Sequence, residues 1–98
     1  MMVSVCLATF NGEKYIREQI DSILPQLSSE DELIISDDGS SDNTLAIIKT
    51  YNDSRIVLFK NEGYHGYVGN FENALLHSNA YGKPRCKFCE LVPNRCYL

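Results

Sequence analysis

Hydrophobic positions along this chain fall into short solid blocks separated by helical stripes. The blocks are Val3-Ser4-Val5-Cys6-Leu7-Ala8, Leu33-Ile34-Ile35 within 32–36, and Ile56-Val57-Leu58-Phe59. Each is rich in β-branched or apolar residues and lacks strict polar alternation, which predicts strands covered on both faces. After the first block, Ile16, Ile20, Ile23, Leu24 and Leu27 recur at helical spacing, so a helix is expected to follow Glu13. Asn11 lies in its cap region, Glu13 suits its first turn, and Pro25 kinks or closes its end. Residues 28–31 form a polar loop. A second helix is expected over about 43–51 and a third over about 68–78, the latter burying Phe71, Ala74 and Leu75. The order βαβαβ–loop–α predicts an α/β fold: a partial doubly wound parallel sheet with right-handed crossovers and helices on both faces.

The stretch Ser36-Asp37-Asp38-Gly39-Ser40-Ser41-Asp42-Asn43-Thr44 joins the second strand to the second helix. Ligands of open α/β sheets bind at the carboxyl ends of strands. Neighbouring strand side chains point to opposite faces, so Asp37 and Asp38 should diverge, one toward a ligand and one anchoring the turn. Gly39 permits a positive φ, and Ser40, Ser41 and Asp42 are good helix caps. Capping alone accounts for Ser41, Asp42 and Thr44; Asp38 is the functional candidate. In the glycine-spaced loop over 60–67, Gly63 and Gly66, with Gly69 beyond it, either permit turns or bring backbone close to a ligand. Asn70 and Asn73 are hydrogen-bonding candidates. His65 is read as a loop residue, since nothing in the sequence supplies it with a carboxylate partner.

Ninety-eight residues make one small domain. A net charge of −4 with no basic stripe gives nucleic-acid binding no electrostatic support. No apolar run approaches the ~20 residues of a membrane span, and no basic n-region precedes an apolar run at the N-terminus. A cytoplasmic chain without a membrane span is therefore expected. Of four cysteines, Cys6 reads as a small core residue, and three fall in the last thirteen positions. Cys86-x-x-Cys89 with Cys96 and His77 offers four zinc ligands, but the remaining spacings match no standard ribbon or finger. A redox role lacks the strand-to-helix setting of that motif. Composition shifts at about Tyr81, which divides the chain into a domain over 1–80 and an irregular, basic, cysteine-rich tail over 81–98. A frameshifted or truncated reading frame accounts for that tail.

Residues 3–12, residues 33–44, and Asn61-Glu62-Gly63 followed by Gly66-Tyr67-Val68-Gly69-Asn70-Phe71-Glu72-Asn73-Ala74-Leu75, in that order, resemble family 2 glycosyltransferases, which have the Rossmann-like GT-A fold. The nearest likeness is to bacterial members that build surface polysaccharides, rhamnosyltransferase-like enzymes included, and it covers about residues 2–80. The resemblance implies that this half-domain binds a nucleotide-diphosphate sugar donor of UDP or dTDP type, for transfer to a glycan or lipid-linked acceptor. The implied nucleotide-binding set is Ala8, Thr9, Asn11, Asp37, Asp38 and Gly39. Ala8 and Thr9 would lie beside base and ribose, and Asp38 would accept the N3–H of a uracil- or thymine-type base. A carboxylate offers only acceptors, so it suits an imide N–H, and such a charge-assisted bond contributes ~1.5–3 kcal/mol. For Thr9 the alternative is a hydroxyl bonding its own turn; for Asp37 it is a structural bond to the preceding loop. Phe71 stands where many relatives carry an arginine, which removes a phosphate or base contact from that helix.

In the family a fourth strand ends in Asp-x-Asp, whose carboxylates hold Mg²⁺ or Mn²⁺ against the diphosphate. Residues 81–98 contain neither that motif nor an apolar strand leading into it, and no acceptor-side general base follows. No catalytic residue and no metal ligand is therefore assigned, and this chain alone is expected to be inactive. The alternative is a non-catalytic nucleotide-binding or interaction module. A receiver domain fits poorly because its acidic pair belongs after the first strand, and no G-x-G-x-x-G supports a dinucleotide fold. An unpaired apolar sheet edge predicts self-association as a homo-oligomer, or marginal stability.

Overall fold

The computed structural model describes residues 3–78 and the backbone of residues 86–89. Four parallel strands, β1 (Ser4–Thr9), β2 (Glu32–Asp37), β3 (Ile56–Lys60) and β4 (Cys86–Cys89), form one sheet in the order β3-β2-β1-β4. The helices are α1 (Ile16–Ile23), α2 (Thr44–Lys49) and α3 (Tyr67–His77). The expected α/β, doubly wound parallel architecture is the one observed.

Pleating sorts the apolar blocks into two cores. Val5, Leu7, Leu33 and Ile35 point to one face, where Ile16, Ile20 and Ile23 of α1 and Ile48 of α2 cover them. Cys6 and Ile34 point to the other, where they meet Ala74, with Leu75 of α3 and Val57 and Phe59 of β3 packed alongside. Two-sided coverage is why the central strands carry unbroken apolar runs. Each fully buried Ile or Leu contributes about 1.5–3 kcal/mol relative to exposure.

The elements depart from their expected bounds for local reasons. Tyr15 and Ile16 amides both bond the Gly12 carbonyl, at 2.9 and 2.8 Å, so α1 starts later than Glu13. It ends in a 3-10 turn at Leu24–Gln26, where Pro25 cannot continue the α-helical ladder. Arg55 closes that end by donating to the carbonyls of Leu24 and Leu27, at 3.1 and 2.9 Å, while pairing with Asp53 at 2.8 Å.

The tail over 81–98 reads as irregular, or as a cover for the exposed sheet edge. Residues 86–89 pair with β1, Ser4 opposite Cys86 through Leu7 opposite Cys89. The open edge of β1, with its row of N–H and C=O groups, is the template for that pairing. Residues 79–85 and 90–98, including Cys96 of the zinc alternative, lie outside the described residues.

Candidate functional site

Parallel register brings the carboxyl ends of three strands level, Thr9 opposite Asp37 and Asp37 opposite Lys60. Three loops therefore leave the same edge: 10–15, 38–43 and 61–66. Such an edge is where α/β sheets hold ligands.

The first two loops are sewn together. Asn11 adopts φ 49°, a left-handed conformation that asparagine tolerates. Its Oδ1 accepts the Ser41 amide at 2.8 Å, and its own amide donates to Ser40 Oγ at 2.9 Å. Gly12 and Glu13 amides donate to Thr44 Oγ1 and Asp42 Oδ2, at 2.9 and 3.2 Å. Asp42 also accepts the Thr44 amide at 2.9 Å, an Asx turn just ahead of α2 rather than the cap expected of it; the cap residue is Asn43, whose side chain makes no cap hydrogen bond.

Asp37 and Asp38 diverge as the pleat requires. Asp37 is 1 % exposed, and its carboxylate accepts the amides of Gly39 and Ser40 at 3.1 and 2.9 Å. It anchors the turn that follows it rather than the loop before it, and Gly39 there has φ 90°. Both oxygens of Asp37 are engaged by this turn, since Oδ1 accepts Ser40 Oγ.

Asp38 turns toward the third loop. Its Oδ1 accepts Asn61 Nδ2 at 3.0 Å and bonds His65 Nδ1 at 2.7 Å; its Oδ2 accepts the Gly66 amide at 2.7 Å. The side chain is 9 % exposed, at the rim rather than under the core. Burial opposes its ionisation, but the Gly66 amide, the His65 ring and the Asn61 amide outweigh burial and hold the carboxyl below the usual carboxylate range. The site thus presents a fixed anion that takes N–H donors.

His65 therefore has the carboxylate partner that its sequence context did not reveal, 27 residues away. Asn61 was missed as well. Its Oδ1 accepts the Gly63 amide at 3.1 Å and its Nδ2 reaches the Tyr64 carbonyl at 2.7 Å, an Asx turn for which Asn-x-Gly was the available signal.

Helix α3 locks the strand ends from the opposite face. Asn70, 3 % exposed, donates to the Thr9 carbonyl at 3.1 Å and accepts Ser36 Oγ at 2.7 Å. Asn73 donates to the same Ser36 hydroxyl at 2.8 Å. Both asparagines are thereby committed to the fold. Ala8 is half-buried. Thr9 is 1 % exposed, and its Oγ1 is buried with no hydrogen-bond partner among the described residues, so it does not bond its own turn.

No group of three or more His, Cys, Asp or Glu side chains able to hold a metal occurs among the described residues. His77 bonds the Asn73 carbonyl at 2.7 Å and stacks on Phe59 at 4.0 Å, engagements of an ordinary helix-end residue. The described residues do not fit a divalent-cation site.

A doubly wound parallel sheet with an ionised acid at the carboxyl end of its second strand is a Rossmann-like α/β domain, a class that holds its ligands at that edge. The chain belongs to glycosyl transferase family 2, whose profile matches residues 4–81. It is 37% identical over 78 residues to the Escherichia coli UDP-Glc:alpha-D-GlcNAc-diphosphoundecaprenol beta-1,3-glucosyltransferase WfgD, covering 80% of this chain and 31% of that protein. Another relative is the Campylobacter jejuni GalNAc(5)-diNAcBac-PP-undecaprenol beta-1,3-glucosyltransferase, 38% identical over 76 residues, covering 74% of this chain and 25% of that protein. Among solved structures, Staphylococcus aureus TarS 1-349 in complex with UDP superposes with a TM-score of 0.78 at 29% identity, covering 92% of this chain and 27% of TarS. A Pyrobaculum calidifontis mannosyltransferase bound to GDP-Man and Mn²⁺ shares the fold, with a TM-score of 0.68 at 24% identity over 79% of this chain and 24% of that one. The chain spans about a third or less of the length of these relatives.

Proposed function

We propose that this chain is the nucleotide-binding portion of a sugar transferase that draws on a UDP- or dTDP-type donor, with Asp38 as the group that reads the base. The observation that carries the reading is the Asp38 carboxylate, ionised, placed at the carboxyl end of β2, and already bonded to N–H donors. An imide N3–H offers the same chemistry, whereas the ring-nitrogen acceptor of cytosine is repelled. Ala8 and Thr9, at the end of the neighbouring strand, are assigned to base and ribose. Asn11 shapes the wall by tying the first two loops together, and Asp37 with Gly39 by fixing the turn that follows β2.

The name of the E. coli relative specifies a UDP-sugar donor and a lipid-diphosphate acceptor, and TarS has been solved with UDP and with UDP-GlcNAc. By that likeness the whole protein transfers sugar to a glycan or lipid-linked acceptor with Mg²⁺ or Mn²⁺. Among the described residues no side-chain group fits a cation site, and the part these residues play in that reaction is nucleotide capture. We assign it to the cytoplasm, where the buried Cys6 side chain stays out of a disulfide. No helix among the described residues is long and apolar enough to cross a membrane.

Calorimetric titration of the purified chain with UDP, CDP and GDP tests the reading. UDP is expected to bind weakly and almost independently of Mn²⁺, CDP at least ~10-fold more weakly, and Asp38→Ala to lose the UDP signal. Equal affinity for UDP and CDP, or unchanged binding by Asp38→Ala, overturns it.

A further inference from the structure

Asp38 already carries three donors, so a nucleobase cannot simply be added to it. Two of the three belong to the frame. Asn61 is 5 % exposed and also ties down the Tyr64 carbonyl. Gly66 is the N-cap residue of α3; its carbonyl accepts the Asn70 amide at 2.9 Å, and its φ of 105° suits a residue without a side chain. Moving either one dismantles the loop or unwinds the first turn of the helix.

His65 is different. Its side chain is 68 % exposed, and its Nδ1 lies 2.7 Å from Asp38 Oδ1. A rotamer change carries the ring into water and leaves the backbone in place. What it uncovers is one lone-pair site on Oδ1, on a carboxylate that Asn61 and Gly66 still orient. A ring N–H of His65 in that position is chemically equivalent to an imide N–H, a planar nitrogen donor directed at a carboxylate oxygen.

We propose that His65 is a latch on the nucleotide site, occupying in the empty protein the acceptor position that the base takes on binding. The proposal rests on the reading of Asp38 as the base-recognising acid. Binding then exchanges one N–H donor for another on Oδ1, and no bond to Asn61 or Gly66 is lost. The closed population reduces the apparent affinity by the fraction of molecules that are open. An exposed ion pair or hydrogen bond of this kind sets that fraction, so removing the ring strengthens binding by about two- to fivefold.

The test is calorimetric titration of UDP into the full chain, wild type, His65→Ala, Asp38→Ala and the double variant, with the His65 ring nitrogens followed by ¹⁵N NMR. The latch predicts that His65→Ala binds UDP two- to fivefold more tightly than wild type and that saturating UDP moves the His65 ring signals to those of a solvent-exposed imidazole. A structural support for Asp38 would give the opposite sign, weaker binding by His65→Ala, and overturns the latch while the base-recognition reading stands. Unaltered ring signals at saturation overturn it as well. If wild type and His65→Ala both fail to bind UDP, or both bind it as well without Asp38, the base-recognition reading falls and takes the latch with it. UDP binding by His65→Ala alone, abolished in the double variant, establishes the latch outright.

Discussion

Replacing Gly69 by alanine is a sharp test of the loop that serves Asp38. At an ordinary helical position the change would stabilise the chain by up to about 1 kcal/mol, because alanine restricts the unfolded state and favours helix. Here a Cβ on Gly69 would lie 2.1 Å from the Tyr64 carbonyl oxygen and 2.9 Å from its carbon. Both obstacles are backbone, so no side chain can swing away. The carbonyl must retreat by roughly 1 Å merely to pass the 3.0 Å below which real Cβ contacts are essentially never found. That carbonyl is the one Asn61 Nδ2 holds at 2.7 Å, and Asn61 in turn donates to Asp38. Overpacking costs ~1–3 kcal/mol and the strained hydrogen bond ~1 kcal/mol, against a propensity gain of at most ~1 kcal/mol. The net expectation is a loss of ~1–3 kcal/mol by urea denaturation, with faster amide exchange over residues 61–66. Gly63→Ala is the control, since its Cβ would meet only Asn61 Oδ1 at an ordinary 3.6 Å, and it should be near neutral. A Gly69→Ala protein as stable as wild type, or more stable, refutes the packing described here.

Three further outcomes follow from the same geometry. Thr9→Val removes a buried hydroxyl with no described partner, so thermal unfolding should show no loss of stability or a gain of up to ~1 kcal/mol, and UDP titration should weaken if a ligand engages Oγ1. Asn70→Ala abandons Ser36 and the Thr9 carbonyl in a buried setting and should cost ~1–3 kcal/mol in urea denaturation. Arg55 holds the Asp53 carboxyl down at about 2 from an ordinary 3.8. A depressed carboxylate stabilises the fold fully above its unfolded value and loses that contribution as pH falls toward the folded one. Stability should therefore drop by ~1 kcal/mol between about pH 5 and about pH 2, after allowance for solvent screening of this partly exposed pair, and Asp53→Asn should remove that component.

The apolar blocks revealed most of the architecture in advance because β1 and β2 are covered on both faces, and that coverage writes itself into composition. The divergence of Asp37 from Asp38 was also legible, since it follows from strand pleating alone. Helix ends were less so: the start of α1 depends on the Gly12 carbonyl, and its close on Arg55, which arrives from 28 to 31 residues away. Asn11 reads from the sequence as a cap-region residue and a ligand contact; that it also stitches two loops together is visible only once the parallel register sets those loops side by side. The partnership of His65 with Asp38 was hidden for the same reason. For residues 86–89 the open edge of β1 was the available clue, as no apolar strand pattern marks that segment.

The central claim is that one Asp38 oxygen accepts the imide N–H of a pyrimidine base, and N3-methyl-UDP tests it by deleting that hydrogen. Titrated against wild type and Asp38→Ala, the methylated nucleotide should bind wild type at least ~10-fold more weakly than UDP does, and Asp38→Ala should no longer distinguish the two. Equal binding of UDP and N3-methyl-UDP by the wild-type chain would contradict the account.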